Sequence, residues 1–124
     1  GVVEWAGVLV WAIGNAGVIV ADRQLAQWRA NPANKRRTAR AGLWSWSRHP
    51  NYFFEWVTWI GVALVATAAP SGWAAWIVPA ALLFLLFRVT GIPPTEAQAL
   101  RSREDYTEYQ RTTSVFVPLP PKRG

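Results

Sequence analysis

The chain has 124 residues, enough for one modest domain, and its 13 basic and seven acidic residues give a net charge of +6. It has no cysteine and one histidine, which excludes disulfides, thiolate chemistry and a multi-histidine metal site, so we expect no metal centre. The basic residues flank apolar segments, which is the positive-inside pattern of a multi-pass membrane protein and argues against a nucleic-acid partner.

Three apolar runs predict an all-α, multi-pass integral membrane domain with short cytosolic helices beside its transmembrane helices. A helix needs about 20 mainly apolar residues to cross a hydrocarbon core of about 30 Å. The run from Trp56 to Phe87 contains no charged residue and indicates a transmembrane hairpin. Pro70-Ser71-Gly72 predicts the tight turn of that hairpin. The expected spans are residues 2–21, 52–69 and 73–89 of a single domain, 1–124.

A basic loop follows the first run, after Asn31-Pro32, which should end the first helix. The positive-inside rule places this loop and the C-terminus in the cytosol, and we expect the apolar helices to be surrounded by membrane lipids. The same cations could also cradle the phosphates of an anionic cofactor, and the two roles are compatible. These cations are Lys35, Arg36, Arg37 and Arg40.

The C-terminal third predicts two short helices and an extended end. Thr95 with Gln98 fits a capping box and predicts a helix start there. Tyr106 and Tyr109 would share one face of the second helix. The apolar end, 115–121, should lie along the membrane interface. Because the chain lacks methionine and begins inside an apolar run, we expect it to be a processed or truncated piece of a longer protein.

Polar side chains are concentrated at the start of the second apolar run. If that helix begins near Pro50, Asn51 and Glu55 share one face. An unpaired carboxylate at the membrane surface is costly, so Glu55 predicts a functional site; the alternative is a salt bridge to Arg48 or His49. Asn51 suits an amide or a ribose, and Arg48 suits a phosphate or a carboxylate. His49 could transfer a proton, hold a phosphate or be structural.

The segment Arg48-His-Pro-Asn-Tyr-Phe-Phe-Glu55, the hairpin after it and residues 104–118 resemble the C-terminal domain of the steroid 5-alpha-reductase family, in its bacterial branch. The resemblance implies a membrane enzyme that binds NADPH from the cytosol and reduces a carbon–carbon double bond in a steroid-, isoprenoid- or other lipid-like enone. It also implies a protein of the bacterial inner membrane in which this chain is the C-terminal half. The N-terminal half would supply the proton-donating and substrate-binding residues. Catalytic residues in this chain stay unassigned.

The resemblance also implies a set of cofactor-binding residues. Two positions depart from the family pattern: Phe54 replaces a glycine, and Val18 replaces a polar residue whose contact Asn15 could supply. The match of Arg101 and Tyr109 depends on their distance from Pro118 alone. The resemblance implies Asp22, Asn51, Tyr52, Glu55, Arg101 and Tyr109 as cofactor-binding residues. Arg48 and His49, from their chemistry, and Glu96, from its place on the same predicted side of the membrane, complete the expected set.

Two other functions stay open. Isoprenylcysteine carboxyl methyltransferases and phospholipid methyltransferases have a similar Arg-His-Pro-x-Tyr motif and a later glutamate that Glu96 resembles, which would imply S-adenosylmethionine as the cofactor. A truncated, non-catalytic membrane module would have no nucleotide affinity. We favour the reductase, because Asn51-Tyr52-x-x-Glu55 is the reductase form of the motif.

Overall fold

The computed structural model describes residues 1–122, in which all regular elements are helices and no strand occurs. The α-helices are α1 (Val2–Ala30), α2 (Pro50–Thr67), α3 (Ile77–Arg88), α4 (Ile92–Ser102) and α5 (Tyr106–Thr112). Short 3₁₀ turns lie at Pro32–Asn34, Gly42–Ser45 and Gly72–Trp76. The predicted all-α class is therefore confirmed.

Prolines mark three of the helix boundaries. Asn31 ends α1 in an extended conformation directly before Pro32, and Pro50 begins α2, both as predicted. The predicted helix start at Thr95 is wrong, because α4 begins at Ile92. Two prolines follow Ile92 in the first turn, where their fixed φ suits a helix and the missing N–H groups need no partner.

Helices α1 and α2 pack antiparallel through small residues. The buried positions of α1 are Gly7, Gly14, Gly17 and Ala21, as expected for a surface that a neighbouring helix approaches closely. A Cβ atom at Gly14 would overlap the backbone of Thr58, and one at Gly17 would overlap the ring of Phe54. The bulky Phe54, which departs from the family pattern, therefore occupies space that Gly17 leaves open on α1.

Two segments are long and apolar enough to cross a membrane by length and composition, Val2–Ala30 and Gly72–Ser102. The uncharged part of the second ends before Arg88, and a break at Val89–Gly91 separates it from the polar α4. These segments contain the first and third predicted spans. The second, 52–69, coincides with α2, which is 18 residues long and packs along α1; that α2 crosses the bilayer stays a prediction.

The C-terminal segment, predicted to be extended along the membrane interface, has no regular secondary structure and bends at residues 115–117, and hydrogen bonds join it to the rest of the protein. The Arg48 N–H donates to the Ser114 carbonyl at 2.7 Å, and the Leu119 N–H donates to the Trp46 carbonyl at 2.9 Å. The side chain of Phe116 is buried against aromatic residues of α2 and α3. This segment therefore fixes the entrance to α2, where the polar residues are concentrated.

Substituting Gly17→Leu should destabilise the protein, because the added side chain would collide with the Phe54 ring in the α1–α2 seam. Overpacking of this kind costs about 1–3 kcal/mol. The matched control is Ala16→Leu, at an exposed neighbouring position of α1. Thermal unfolding in detergent should show a lower midpoint for Gly17→Leu only; equal midpoints would contradict the packing described.

Candidate functional site

The carboxylate of Glu96, on α4, lies at the centre of a polar cluster that joins α4 to α5 and to the start of α2. Its Oε1 accepts hydrogen bonds from Arg48 Nη1 at 2.9 Å and Gln110 Nε2 at 3.1 Å. Its Oε2 accepts one from the Tyr106 hydroxyl at 2.9 Å and lies 2.8 Å from His49 Nε2. A proton on His49 Nε2 completes four donors around one carboxylate.

The electrostatics of this cluster keep Glu96 charged. Burial opposes ionisation, but the hydrogen bonds from His49, Gln110 and Tyr106 and the charge of Arg48 outweigh it and hold the pKa of Glu96 below its usual range. Burial, followed by the charge of Glu96, raises the pKa of Tyr106, so its hydroxyl stays protonated and remains a donor. Arg48 and Glu96 therefore form an ion pair whose side chains are 12% and 13% exposed.

Residues on either side of Arg48 are held by the backbone and by α4. The Ser47 hydroxyl accepts from the His49 N–H at 3.1 Å and donates to the Phe116 carbonyl at 2.7 Å. The His49 ring is buried and stacks on Tyr52, whose hydroxyl lies 3.0 Å from Thr95 Oγ1. The sequence Ser47-Arg-His-Pro-Asn-Tyr52 is thus held in a defined conformation at the entrance to α2.

Tyr109 is almost fully buried, and its hydroxyl is used inside the protein. It donates to the Trp44 carbonyl, and the Ser47 carbonyl is a second acceptor at 3.1 Å. Burial raises the pKa of Tyr109, which keeps this donor protonated. The guanidinium of Arg40 lies 5.6 Å from the centre of its ring.

A cavity of about 290 Å³, here called the central cavity, lies between the ends of α1, α2, α4 and α5. Arg48 Nε and Asn51 Oδ1 belong to side chains that line it, and both atoms are buried without a hydrogen-bond partner among residues 1–122. Buried polar atoms are normally paired, so one free donor and one free acceptor in the same cavity indicate a site for a ligand.

A second cavity of about 400 Å³, here called the basic pocket, lies beside the central cavity and shares Arg29 and Arg103 with it. No acidic residue is among its lining residues in the described part of the chain. The lining cations are Arg29, Lys35, Arg36, Arg37 and Arg103. Three of the four cations predicted in the basic loop are thus brought to one pocket.

Hydrogen bonds hold the loop around this pocket in place. Asn34 Nδ2 donates to the Trp28 carbonyl at 3.0 Å, and Trp28 Nε1 donates to the Arg37 carbonyl at 3.3 Å. The buried Thr38 donates its N–H and its hydroxyl to Asp105 at 3.0 and 2.8 Å. Because these contacts join the loop to α1 and α5, the cations extend from a fixed backbone.

Glu55 lies apart from the Glu96 cluster. It is exposed and lines an open groove, here called the α1–α2 groove, together with Asn15, Val18 and Thr58. The alternative of a salt bridge from Glu55 to Arg48 or His49 is wrong, because both of those residues pair with Glu96 in the described chain. Asn15, suggested as a substitute for the polar residue missing at Val18, does lie beside Glu55.

The structure separates the predicted cofactor-binding residues into groups. Arg48, His49, Asn51, Tyr52 and Tyr109 line the central cavity. Glu96 bonds to the first two, and Glu55 lies in the α1–α2 groove. The two remaining residues, Asp22 and Arg101, are exposed and line neither the central cavity nor the basic pocket.

Sequence reasoning missed three contributors. Arg103, rather than Arg101, lines both cavities. Gln110 binds Glu96, and its position four residues after Tyr106 on one helix face was the available signal. Thr38 binds Asp105 across 67 positions of sequence, and no local pattern could have indicated that pair.

A family model described as a protein of unknown function, DUF1295, matches residues 1–113. The chain belongs to the DUF1295 family. The DUF1295 match includes every residue of the Glu96 cluster and of both cavities, since Gln110 is the last of them. Comparison with curated proteins and with solved structures found no match.

Replacing the central carboxylate by Glu96→Gln should lower stability at neutral pH by about 2 kcal/mol, because Arg48 loses its charged partner. Since the folded protein lowers the pKa of Glu96, its stabilising effect is present above the unfolded value of about 4.3 and is lost as pH falls through the folded value.

The midpoint of thermal unfolding, measured from pH 7 down to pH 3, should therefore fall more steeply for the wild type than for Glu96→Gln below about pH 4.3. The control is Glu108→Gln, which removes an exposed carboxylate 3.9 Å from Arg40. If the unfolding midpoints of the wild type and Glu96→Gln fell in parallel with decreasing pH, ionised Glu96 would not be the group that stabilises the folded protein.

Proposed function

We propose that this chain is the cofactor-binding part of a membrane-embedded, NADPH-dependent reductase of a carbon–carbon double bond in a steroid-, isoprenoid- or other lipid-like enone. One observation carries the proposal: the basic pocket, with five cations, adjoins the central cavity, which offers an unpaired donor and acceptor. NADPH has the matching polarity, since it has a 2′-phosphate on its adenosine and a diphosphate next to it, while the dihydronicotinamide ring at its other end is neutral.

In the proposed orientation the basic pocket would lie beyond the membrane surface, which favours a soluble anion rather than a lipid headgroup as its ligand. Arg29 lies eight residues beyond Ala21, where the first predicted span ends, which is about 12 Å along the helix. Headgroups occupy about 5–8 Å on each side of the hydrocarbon core. With all three predicted spans in the bilayer, the pocket would extend past the headgroups of the inner membrane into the cytosol.

The chain's own residues would have distinct tasks. The cations of the basic pocket would pair with phosphate oxygens. Arg48, Asn51 and Tyr52 would hold the neutral end in the central cavity, and bound NADPH would supply a hydride. The α1–α2 groove, whose edge includes the exposed Ile19 and Trp59, would face the lipid substrate. The N-terminal half of the same protein would complete the substrate site.

The methyltransferase alternative fits the charges less well. S-adenosylmethionine has a sulfonium cation and no phosphate, so five cations beside the cavity would repel it rather than hold it. The glutamate that suggested this alternative, Glu96, already accepts from four protein donors, which fills the usual capacity of a carboxylate. In a non-catalytic module the positive-inside rule would explain the cations but not the unpaired buried donor and acceptor of the two side chains that line the central cavity.

Ligand-dependent stability tests the proposal directly. NADPH should raise the thermal unfolding midpoint of the detergent-solubilised chain, because a ligand that binds only the folded state stabilises it. NADH, which lacks the 2′-phosphate, should raise it less, and S-adenosylmethionine should leave it unchanged. Stabilisation by S-adenosylmethionine alone would favour the methyltransferase, and no response to any of the three would favour the non-catalytic module.

Arg37→Ala should weaken NADPH binding roughly tenfold, because it removes one charge-assisted hydrogen-bond donor from the basic pocket. Arg23→Ala is the matched control, since Arg23 is also exposed at this end of the molecule but lines neither cavity. Calorimetry on both variants at two salt concentrations should show that the NADPH dissociation constant depends less on salt in Arg37→Ala than in Arg23→Ala. Equal affinities would exclude the basic pocket as the phosphate site.

A further inference from the structure

We propose that the central cavity recognises a primary carboxamide, with Arg48 Nε donating to its carbonyl oxygen and Asn51 Oδ1 accepting from its amino group. The inference rests on the proposed function: the carboxamide is that of the nicotinamide ring. It assigns Arg48 to a neutral group, whereas the sequence pattern had suggested a phosphate or a carboxylate.

The contacts of Arg48 explain this assignment. Its Nη1 is bound to Glu96 at 2.9 Å, so the guanidinium is not free to clamp a phosphate with its full fork. The Glu96 carboxylate also neutralises the positive charge of Arg48. Among the nitrogens of Arg48, Nε is the buried donor without a partner, and it belongs to an ion pair with no net charge. Such a donor suits a carbonyl oxygen, while the basic pocket, lined by five cations and by no acidic residue of the described chain, supplies the positive charge that phosphates need.

Asn51 provides the second half of the recognition. Its Oδ1 is a buried acceptor without a partner, and an acceptor facing a phosphate or carboxylate oxygen would be repelled. A ligand that pairs both buried atoms brings a donor to Asn51 Oδ1 and an acceptor to Arg48 Nε. A primary carboxamide has both on one carbon atom, and Arg48 and Asn51 lie three positions apart at the start of α2.

The edge of an adenine ring also combines a donor with an acceptor, so the order of the two cavities along the chain decides between the two ends of the cofactor. Leu25 of the central cavity precedes Arg29 on α1, and the basic pocket continues from Arg29 into the loop beyond the helix. The central cavity is therefore nearer the apolar part of α1. A nicotinamide ring in the central cavity would be close to a lipid substrate. The phosphates of the same cofactor would be directed away from the membrane.

The test uses NADP⁺ and its 3-acetylpyridine analogue, in which a methyl group replaces the amino group of the carboxamide. Calorimetry should show that the detergent-solubilised wild type binds NADP⁺ about fivefold to tenfold more tightly than the analogue. Asn51→Ala should bind both equally, because the acceptor that distinguishes them is gone. Asn51→Asp, which keeps an acceptor oxygen, should retain the preference.

Two further measurements make the outcome decisive. Arg48→Lys keeps the charge beside Glu96 but removes Nε. It should therefore lower the affinity for NADP⁺ and for the analogue by the same factor. Adenosine 2′,5′-bisphosphate, which has no nicotinamide, should bind the wild type and Asn51→Ala equally. A loss of its binding in Asn51→Ala would place adenine in the central cavity and overturn the assignment.

The failures of the two proposals can be told apart. If the wild type binds NADP⁺ but prefers it over the analogue no more than Asn51→Ala does, the carboxamide assignment is wrong and the cofactor proposal stands. If the wild type binds neither NADPH nor NADP⁺, both are overturned.

Discussion

The site depends on one constraint: the carboxylate of Glu96 must be matched by donors from several elements. Arg48 and His49 reach it from the entrance to α2, and Tyr106 and Gln110 reach it from α5. A half-buried charge is costly unless it is paired and hydrogen-bonded. Satisfying Glu96 therefore brings three separate segments together, and the central cavity is the space that remains between them and α1.

The apolar part of the chain provides a scaffold for that cluster. Gly14 and Gly17 allow α1 and α2 to approach closely, so the two helices keep a defined register. Phe116 packs against α2 and α3 and thereby anchors the C-terminal segment to these helices. The backbone of that segment binds the residues just before α2, which positions Arg48 and His49 toward Glu96 instead of toward Glu55.

Charge is distributed unevenly between the two cavities, and in the function that we propose this distribution would suit them to different parts of one ligand. In the central cavity the guanidinium of Arg48 is neutralised by Glu96, and the other lining cations, Arg29 and Arg103, lie on the side shared with the basic pocket, so hydrogen-bond geometry would select what binds beside Arg48. In the basic pocket the five cations face no lining carboxylate among the described residues, so electrostatic attraction dominates. A cofactor with one polyanionic end and one neutral end is complementary to both at once.

The sequence by itself determined the helical class, the ends of α1 and the start of α2, because proline and hydrophobic length act locally. It also identified Arg48, His49, Asn51 and Tyr52 as neighbours, since they lie within five consecutive positions. Only the tertiary structure decided their partners. Glu96 is 48 positions from Arg48, and Thr38 is 67 positions from Asp105. Such pairings depend on which buried charges the packed helices bring within reach, and no local pattern encodes that.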